Sequence, residues 1–207
     1  MNKFERKNHW EHIYRTKPLV ESSWFEQTPE TSLRFFKQFQ VPFSAKIIDI
    51  GGGDSLLVDY LLDLGYTDIT VLDISDAALN RARQRLGESA AQVKWIVADA
   101  ATFIPAGKYD FWHDRAAFHF LTDEIEIINY INTVQNNLNP SGILIIGTFS
   151  EQGPAKCSGL DIKQYSETSM TNLLSAFFDK IKCITVDHHT PSGTVQNFIF
   201  CSFRKVK

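Results

Sequence analysis

The sequence predicts an α/β fold with a doubly wound parallel sheet. The apolar stretch 46–50 runs directly into three consecutive glycines, 51–53, and an amphipathic helical pattern begins at Leu56. Consecutive glycines let the backbone turn sharply and approach a ligand closely, and the helix after them points its free N–H groups at the same place. A strand, a glycine turn and a helix in this order are typical of the first nucleotide-binding turn of such a sheet.

The glycine spacing excludes two kinds of phosphorylated nucleotide. A dinucleotide fingerprint has the form G-x-G-x-x-G, but after Gly51 and Gly53 the third position is Leu56. Nothing in the chain resembles the Walker pattern G-x-x-x-x-G-K-[ST]. Asp49, just before the turn, would repel a pyrophosphate, whereas it can fix the turn or bind a cationic group. The turn is therefore predicted to hold an uncharged or cationic nucleoside.

Acidic residues follow the next strands at the same edge of the predicted sheet. The strand 69–73 ends in Asp73, where a carboxylate can accept both ribose hydroxyls. The strand 93–97 is followed by Asp99, placed to accept from the exocyclic amine of adenine. A third polar cluster ends the strand 109–115. One such acid alone is typical of a helix cap or turn, but three at successive strand ends favour a ligand site.

At this point the chain resembles the class I S-adenosylmethionine-dependent methyltransferases. The matching segments are Asp49-Ile50-Gly51-Gly52-Gly53, Asp73, Ala98-Asp99-Ala100, and Leu138-Asn139-Pro140-Ser141-Gly142 leading into strand five. Ser55 replaces the last glycine of the family's D-x-G-x-G-x-G pattern. The resemblance implies a Rossmann-like, doubly wound seven-stranded sheet with an antiparallel last strand, and S-adenosyl-L-methionine as the cofactor.

The resemblance also implies a set of site residues. The expected cofactor-binding residues are Asp49, Gly51, Gly52, Gly53, Asp73, Ile74, Asp99, Ala100, Asp114, Arg115, Trp10 and Trp24. Asp114 and Arg115 are expected at the methionine end of the cofactor or at the substrate. His119 is the best candidate for a general base, with Asp114 as the second catalytic candidate, although His119 can equally cap or fill the start of a helix. Strand alternation puts His113 on the opposite face from Asp114. No metal site is expected.

The tail of the chain predicts the antiparallel strand independently. Residues 182–188 and 196–203 read as two strands, and Pro191-Ser192-Gly193 between them is strong turn chemistry. A NAD-dependent dehydrogenase would not need this hairpin. His188 and His189 can line an acceptor pocket there, although a solvent-exposed strand end is the preferred interpretation.

Two segments lie outside the nucleotide-binding core. Residues 1–43 are predicted to form an N-terminal helical cap, with helices at 4–15 and about 28–39, before a methyltransferase domain at 44–207. Its Trp10, Tyr14 and Trp24 resemble the aromatic opening of lysine methyltransferases that act on elongation factors and citrate synthase. A sulfonium near aromatic faces gains about 0.5–2 kcal/mol of cation–π attraction. These aromatic residues can also simply pack the helices on the sheet. The loop 150–160 is predicted to be a lid or substrate wall, in which Cys157 can touch the substrate.

Composition indicates one domain with a reduced, cytoplasmic setting. The 207 residues are 43% hydrophobic and have no apolar run long enough to cross a bilayer, so no membrane partner is expected. A net charge of −3 argues against broad nucleic-acid binding. The three cysteines are odd in number and widely spaced, so neither a disulfide framework nor a zinc site is indicated.

These observations predict a methyltransferase that acts on a small-molecule acceptor, since little chain beyond the core remains to dock a macromolecule. A protein lysine is the alternative, through the N-terminal aromatic residues. The string Gly51-Gly52-Gly53-Asp54 also resembles the turn of aminopropyltransferases, and a non-catalytic adenosyl-binding module is a further alternative. A NAD-dependent reductase fails on the glycine spacing.

Overall fold

In a computed structural model the described residues are 3–206, with side chains from residue 5 onward. The helices are α1 (Lys3–Thr16), α2 (Glu30–Gln38), α3 (Leu57–Asp63), α4 (Asp76–Leu86), α5 (Glu124–Asn137) and α6 (Glu167–Leu174). The strands are β1 (Lys46–Ile50), β2 (Asp68–Asp73), β3 (Val93–Val97), β4 (Tyr109–Arg115), β5 (Leu138–Phe149), β6 (Lys156–Cys157), β7 (Leu160–Asp161), β8 (Phe178–His189) and β9 (Val195–Lys205).

Seven of these strands form one sheet in the order β3-β2-β1-β4-β5-β9-β8. Strands β1 to β5 pair in parallel, whereas β9 is antiparallel to both β5 and β8. The predicted seven-stranded sheet with an antiparallel last strand is confirmed. The chain order reverses direction at β1, so the carboxyl ends of β1 and β4 flank the crevice where such sheets bind ligands.

Alternation along each central strand gives the sheet two buried faces. In β1, Ile47 packs with Phe35 and Phe36 of α2, while Ile48 and Ile50 belong to the opposite core. That opposite core is covered by α5 and α6, and the first is covered by α2, α3 and α4. Because β1 is buried on both sides, it reads as a nearly continuous apolar run that only Asp49 interrupts.

Helix α1 lies on α4 rather than in the main core. Its Trp10 and Tyr14 pack around Ala78 of α4. The Glu11 carboxylate accepts hydrogen bonds from the backbone N–H groups of Asp76 (2.8 Å) and Ala77 (3.3 Å), which have no partner within their own helix. A side chain of α1 thus caps α4, and this contact holds α1 beside the crevice. The division into a cap at 1–43 and a domain at 44–207 stays a prediction, since α2 packs into the core of the sheet.

The C-terminal hairpin corrects one expectation. Cys183 of β8 and Cys201 of β9 lie directly opposite each other, with Cα atoms 4.1 Å apart, and form a disulfide. Their separation in sequence gave no reason to pair them, but the antiparallel register brings them together. Cys157 is a buried free thiol. No helix within residues 3–206 has the length and apolarity to span a membrane.

Candidate functional site

The glycine turn after β1 is closely surrounded by side chains. Gly51 and Gly53 have φ values of +65° and +51°, a region that favours glycine. A Cβ at Gly51 would lie 2.5 Å from Cβ of Ala117, and one at Gly53 would lie 2.6 Å from the Tyr14 hydroxyl. Both the conformation and the space therefore require glycine, because a side chain at either position would collide with Ala117 or Tyr14.

Asp73 ends β2 with a buried carboxyl group. It is 5% exposed, and its Oδ1 accepts a hydrogen bond of 2.8 Å from the backbone N–H of Ser75. Burial raises the pKa of Asp73 to about 7, and the Asp54, Asp49 and Glu11 charges add to this effect, while the Ser75 hydrogen bond opposes it. A group that binds the ionised carboxylate would therefore displace a proton near neutral pH.

Asp99 follows β3 and is tied to the N-terminal helix. Its Oδ1 accepts from the backbone N–H of Ala101 (2.9 Å), and Nη1 of Arg6 lies 3.3 Å from both carboxylate oxygens. The same guanidinium binds Glu126 of α5 at 2.6 Å. Nothing in the sequence signalled Arg6, because its two partners lie 93 and 120 residues away.

An aromatic cluster covers the crevice between β4 and the carboxylates of Asp73 and Asp99. The ring centroid of Trp10 lies 5.0 Å from that of Phe120 and 6.0 Å from those of Tyr14 and Trp24. Burial raises the pKa of Tyr14 well above its usual value, with the Asp73 charge adding to the effect, so its hydroxyl stays protonated. The cluster packs α1 on the sheet and also lines the cavity, so the two interpretations drawn from the sequence are not exclusive.

Asp114 and His119 are buried away from the crevice. Asp114 accepts from the Tyr130 hydroxyl at 2.7 Å and from the backbone N–H of Phe118 at 2.9 Å. Burial raises its pKa to about 6, against the lowering effect of these hydrogen bonds. Asp114 thus fixes the turn after β4. His119 is fully buried, accepts from the backbone N–H of Phe149 at Nδ1, and has its pKa lowered to about 3 by burial and then by Arg115.

Neither Asp114 nor His119 lines the cavity at the carboxyl edge of the sheet. The geometry therefore supports the structural alternative for His119, a filler at the start of a short helical turn, over a base. Its Nε2 has no hydrogen-bond partner among the described residues, which fits a buried neutral ring. The predicted alternation of β4 is correct, because Asp114 and Trp112 both contact Tyr130 while His113 faces α2.

His113 sits in a buried chain of three polar side chains. Its Nδ1 lies 2.7 Å from Oδ1 of Asp49, and its Nε2 lies 2.9 Å from Oγ of Ser32. The register of β1 and β4 places Asp49 and His113 side by side, and Ser32 comes from the first turns of α2. All three residues are at most 5% exposed and all three line the cavity.

Arg115 is the centre of a second polar cluster at the end of β4, separate from that of His113. Its Nη1 donates to the carbonyl of Trp24 (3.1 Å), its Nη2 lies 3.1 Å from Oε1 of Glu26, and its Cζ lies 5.3 Å from the ring centroid of Phe198. Burial by itself would raise the pKa of Glu26, but His188 and Arg115 outweigh it and lower that pKa. Glu26 is therefore a carboxylate near neutral pH.

His188 does not lie at an exposed strand end, as preferred from the sequence. It is 7% exposed and donates from Nε2 to the carbonyl of Ser23 (2.7 Å). That interpretation was wrong because the segment 22–26 folds over the hairpin. His189, next to it, is exposed.

One cavity joins these groups along the carboxyl edge of the sheet. Its lining includes Arg6, Trp10, Tyr14, Trp24, Glu26, Ser32, Asp49, Gly51, Gly52, Asp73, Ile74, Asp99, Ala100, His113, Arg115, Phe120 and Cys157. The volume is about 110 Å³, several times the roughly 10–15 Å³ that one water needs. The cavity thus brings together ten of the residues expected to bind the cofactor; Gly53 faces Tyr14 and Asp73 beside it, and Asp114 lies outside.

The lining also includes residues that the sequence analysis did not select. Arg6, Glu26 and Ser32 come from the N-terminal segment, where no local pattern distinguishes them from other polar residues. Cys157 enters from the loop after β5, whose role as a lid or substrate wall stays a prediction. Within residues 3–206, no group of three or more His, Cys, Asp or Glu side chains is arranged to hold a metal ion.

Comparisons with known proteins agree with this architecture. Residues 47–142 match the family model described as a methyltransferase domain. The chain is 27% identical over 107 residues to malonyl-[acyl-carrier protein] O-methyltransferase 1 of Ilyobacter polytropus, covering 51% of this chain and 38% of that protein. It is 31% identical over 80 residues to nodulation protein S of Rhizobium fredii, covering 39% of this chain and 45% of that protein. The matches thus span less than half of either relative.

A solved structure resembles nearly the whole chain. The 1,6-didemethyltoxoflavin-N1-methyltransferase of Burkholderia thailandensis, solved with 1,6-didemethyltoxoflavin and S-adenosylhomocysteine, superposes with a TM-score of 0.75 at 18% identity. The superposition covers 99% of this chain and 90% of that one. At this identity the likeness concerns the fold.

The sheet order, the glycine turn and the acids at the ends of β2 and β3 define an α/β protein with a cavity at the carboxyl edge of its strands, where such sheets bind ligands. Residues 47–142, just under half of the chain, match a methyltransferase domain. Over nearly its whole length the chain is similar in fold to a solved methyltransferase.

Proposed function

We propose that the protein transfers the methyl group of S-adenosyl-L-methionine to a small-molecule acceptor. The observation that carries this proposal is the continuity of the cavity, which runs from Asp73 and Asp99 at one end to His113 and Arg115 at the other. Such a cavity offers one end to the nucleoside and the other to the acceptor.

The adenosyl end fits the cofactor chemically. Gly51 and Gly52 line the cavity with their backbone, and Asp73 is placed to accept the ribose hydroxyls. Asp99 is placed for the adenine amine, provided that Arg6 shares or releases its carboxylate. S-adenosylmethionine, when bound, supplies a methyl group already activated by the positive sulfur. The chain's own residues then have to align the acceptor, and such alignment supplies roughly 7–11 kcal/mol of barrier lowering.

The acceptor end supports a small molecule over a protein. Trp10, Tyr14 and Trp24 close the cavity from the side of α1, and Arg115 binds the carbonyl of Trp24 and pairs with Glu26. These contacts surround a chamber at this end with aromatic rings and an ion pair, which suits a small acceptor better than a protein side chain. The chamber also offers both an anionic group and a cationic group, which suits a polar metabolite.

The experiment has two stages. Calorimetry first measures the binding of S-adenosylhomocysteine, which we expect to bind the wild-type protein. The protein is then incubated with S-adenosylmethionine labelled in the methyl group and with a cell extract separated into metabolite and protein fractions. We expect the label to enter the metabolite fraction.

The other outcomes separate the alternatives. Label confined to the protein fraction would favour a protein amine as the acceptor. Transfer only from decarboxylated S-adenosylmethionine that carries its label in the aminopropyl group would favour an aminopropyltransferase. Tight binding of S-adenosylhomocysteine without transfer to either fraction would favour an adenosyl-binding module without catalysis.

A further inference from the structure

The side chains of Ser32, His113 and Asp49 form a connected, buried polar group at the acceptor end. Its two hydrogen bonds, 2.9 Å and 2.7 Å, join residues from α2, β4 and β1. Burying three polar side chains between a helix and two strands costs free energy that an apolar packing would avoid. A purely structural link between α2 and the sheet would not need to face the cavity, yet each of the three residues lines it.

The partners assign the direction of the two hydrogen bonds. Asp49 offers a carboxylate, which only accepts, so His113 donates from Nδ1. Nε2 of the neutral ring then accepts from the Ser32 hydroxyl. In this arrangement Oγ of Ser32 can accept a proton from another group. Nε2 of His113 can then take the proton that the Ser32 hydroxyl gives up.

We propose that Ser32, His113 and Asp49 form a proton relay that deprotonates the acceptor during methyl transfer. The proposal rests on the proposed function, because it names the residues that would serve that reaction. It also restricts the acceptor to a hydroxyl or an amine that must lose a proton. A thiol acceptor would need such a relay least, because it deprotonates more easily.

The lone pair of the acceptor oxygen or nitrogen forms a bond to the methyl carbon, and the carbon–sulfur bond breaks with its electron pair remaining on sulfur. The acceptor proton passes to Oγ of Ser32, whose own proton passes to Nε2 of His113. His113 becomes an imidazolium, which the Asp49 carboxylate stabilises through the 2.7 Å contact. The proton leaves to solvent after the product is released.

Other charged groups also act on His113. Glu26, which precedes α2, and Asp114 interact electrostatically with His113, Asp49 contacts its ring, and Arg115 follows it two residues later on the same strand. Phe36 of α2 packs against the ring, with centroids 6.4 Å apart. The anionic surroundings suit a group that must hold a proton briefly. His119 lacks such surroundings and does not reach the cavity.

The test compares Ser32→Ala with a matched control, Thr31→Val. Thr31 is the neighbouring buried residue of α2 and does not line the cavity, so the control also removes a hydroxyl from this turn. The assay uses the metabolite fraction that accepts label from S-adenosylmethionine. For Ser32→Ala we expect kcat to fall by about 10²–10⁴-fold, the usual worth of general acid–base catalysis, with unchanged affinity for S-adenosylhomocysteine.

The pH profile separates a relay from a structural link. In the wild-type protein and in Thr31→Val, kcat should rise with pH and then reach a plateau. In Ser32→Ala the plateau should disappear, and kcat should rise with pH between about 6 and 9, because solvent must then take the proton. His113→Gln should behave in the same way. In the ligand-free protein, ¹⁵N spectra of labelled histidine should show His113 protonated at Nδ1.

Three results would overturn the proposal. If the wild type is active and Ser32→Ala keeps both its kcat and its plateau, the relay is wrong while the proposed function stands. A His113 proton on Nε2 would reverse the hydrogen bonds and have the same consequence. A wild type that transfers no methyl group to any fraction would contradict the proposed function itself, and the relay with it.

Discussion

The two ends of the cavity are built in different ways. At the adenosyl end, Asp73 is the last residue of β2 and Asp99 lies two residues after β3, and each accepts a hydrogen bond from a backbone N–H two residues further on. At the acceptor end, Ser32, His113 and Arg115 obtain their positions from contacts with residues far away in the chain. The first arrangement is local and can be read from a short stretch of sequence. The second exists only once the N-terminal segment has folded over β4.

This difference predicts which substitutions affect the cofactor and which affect the acceptor. Changes at the ends of β2 and β3 should alter the binding of S-adenosylhomocysteine. Changes at the end of β4 should leave that binding intact and alter methyl transfer. The following predictions test this division, beginning with the largest expected effect.

Asp73→Ala should weaken S-adenosylhomocysteine binding by about 10²–10⁴-fold, since two hydrogen bonds to a charged group are each worth roughly 1.5–3 kcal/mol. Calorimetry measures the affinity directly. Asp63→Ala, at an exposed position at the end of α3, is the control and should bind as the wild type does. If Asp73→Ala binds S-adenosylhomocysteine as tightly as the wild type, Asp73 does not bind the ribose. The assignment of this end of the cavity to the adenosyl group would then be wrong.

Arg115→Met should lower kcat/KM for the acceptor by about 10–100-fold, because it removes a charged donor from the chamber. The affinity for S-adenosylhomocysteine should not change, although the sequence placed Arg115 among the cofactor-binding residues. The two quantities are measured on the same preparation, by initial rates and by calorimetry. A loss of cofactor affinity in this variant would show that Arg115 binds the cofactor, as the sequence predicted, rather than the acceptor.

Cofactor affinity should rise with pH through about 7 and level off above it. The raised pKa of Asp73 means that ligand-free protein holds a proton there, which a ligand that needs the carboxylate must displace. The change is at most about tenfold per pH unit. Calorimetry in buffers of different ionisation enthalpy should detect proton release, and Asp73→Asn should abolish it.

The same pKa has an opposite consequence for folding. A carboxyl group whose pKa is higher in the folded state stabilises that state below the unfolded value near 4, and this contribution is lost as pH rises to about 7. The free energy of unfolding of the ligand-free protein should therefore fall over this range. Denaturation by urea at several pH values measures it, and a smaller fall is expected in Asp73→Asn.

Glu11→Gln should have the smallest effect, about 0.3–1 kcal/mol on the docking of α1, because it weakens a charged cap at the N-terminus of α4. Hydrogen exchange of the α1 amides should become faster while that of β1 stays unchanged. Glu21→Gln, at an exposed position, provides the comparison. Equal protection of α1 in both variants would show that the aromatic cluster alone holds this helix.

The strands and the glycine turn illustrate how much of the fold could be predicted from the sequence. The apolar run of β1, the turn at 51–53 and the two strands of the C-terminal hairpin all have local patterns, and the structure contains each of them. The boundaries were less accurate. The hairpin strands extend to Phe178–His189 and Val195–Lys205, since pairing with neighbours continues beyond the residues whose alternation marks them.

The candidate site divides along the same line. The sequence by itself determined the glycine turn, the acids after β2 and β3 and the order of the elements, because side-chain period, backbone freedom and turn chemistry act over a few residues. Only the tertiary structure decided that His113 rather than His119 reaches the cavity, that Arg6 binds Asp99, and that Cys183 meets Cys201. These contacts join distant segments, and their free energy comes from burial and pairing that no short window of sequence contains.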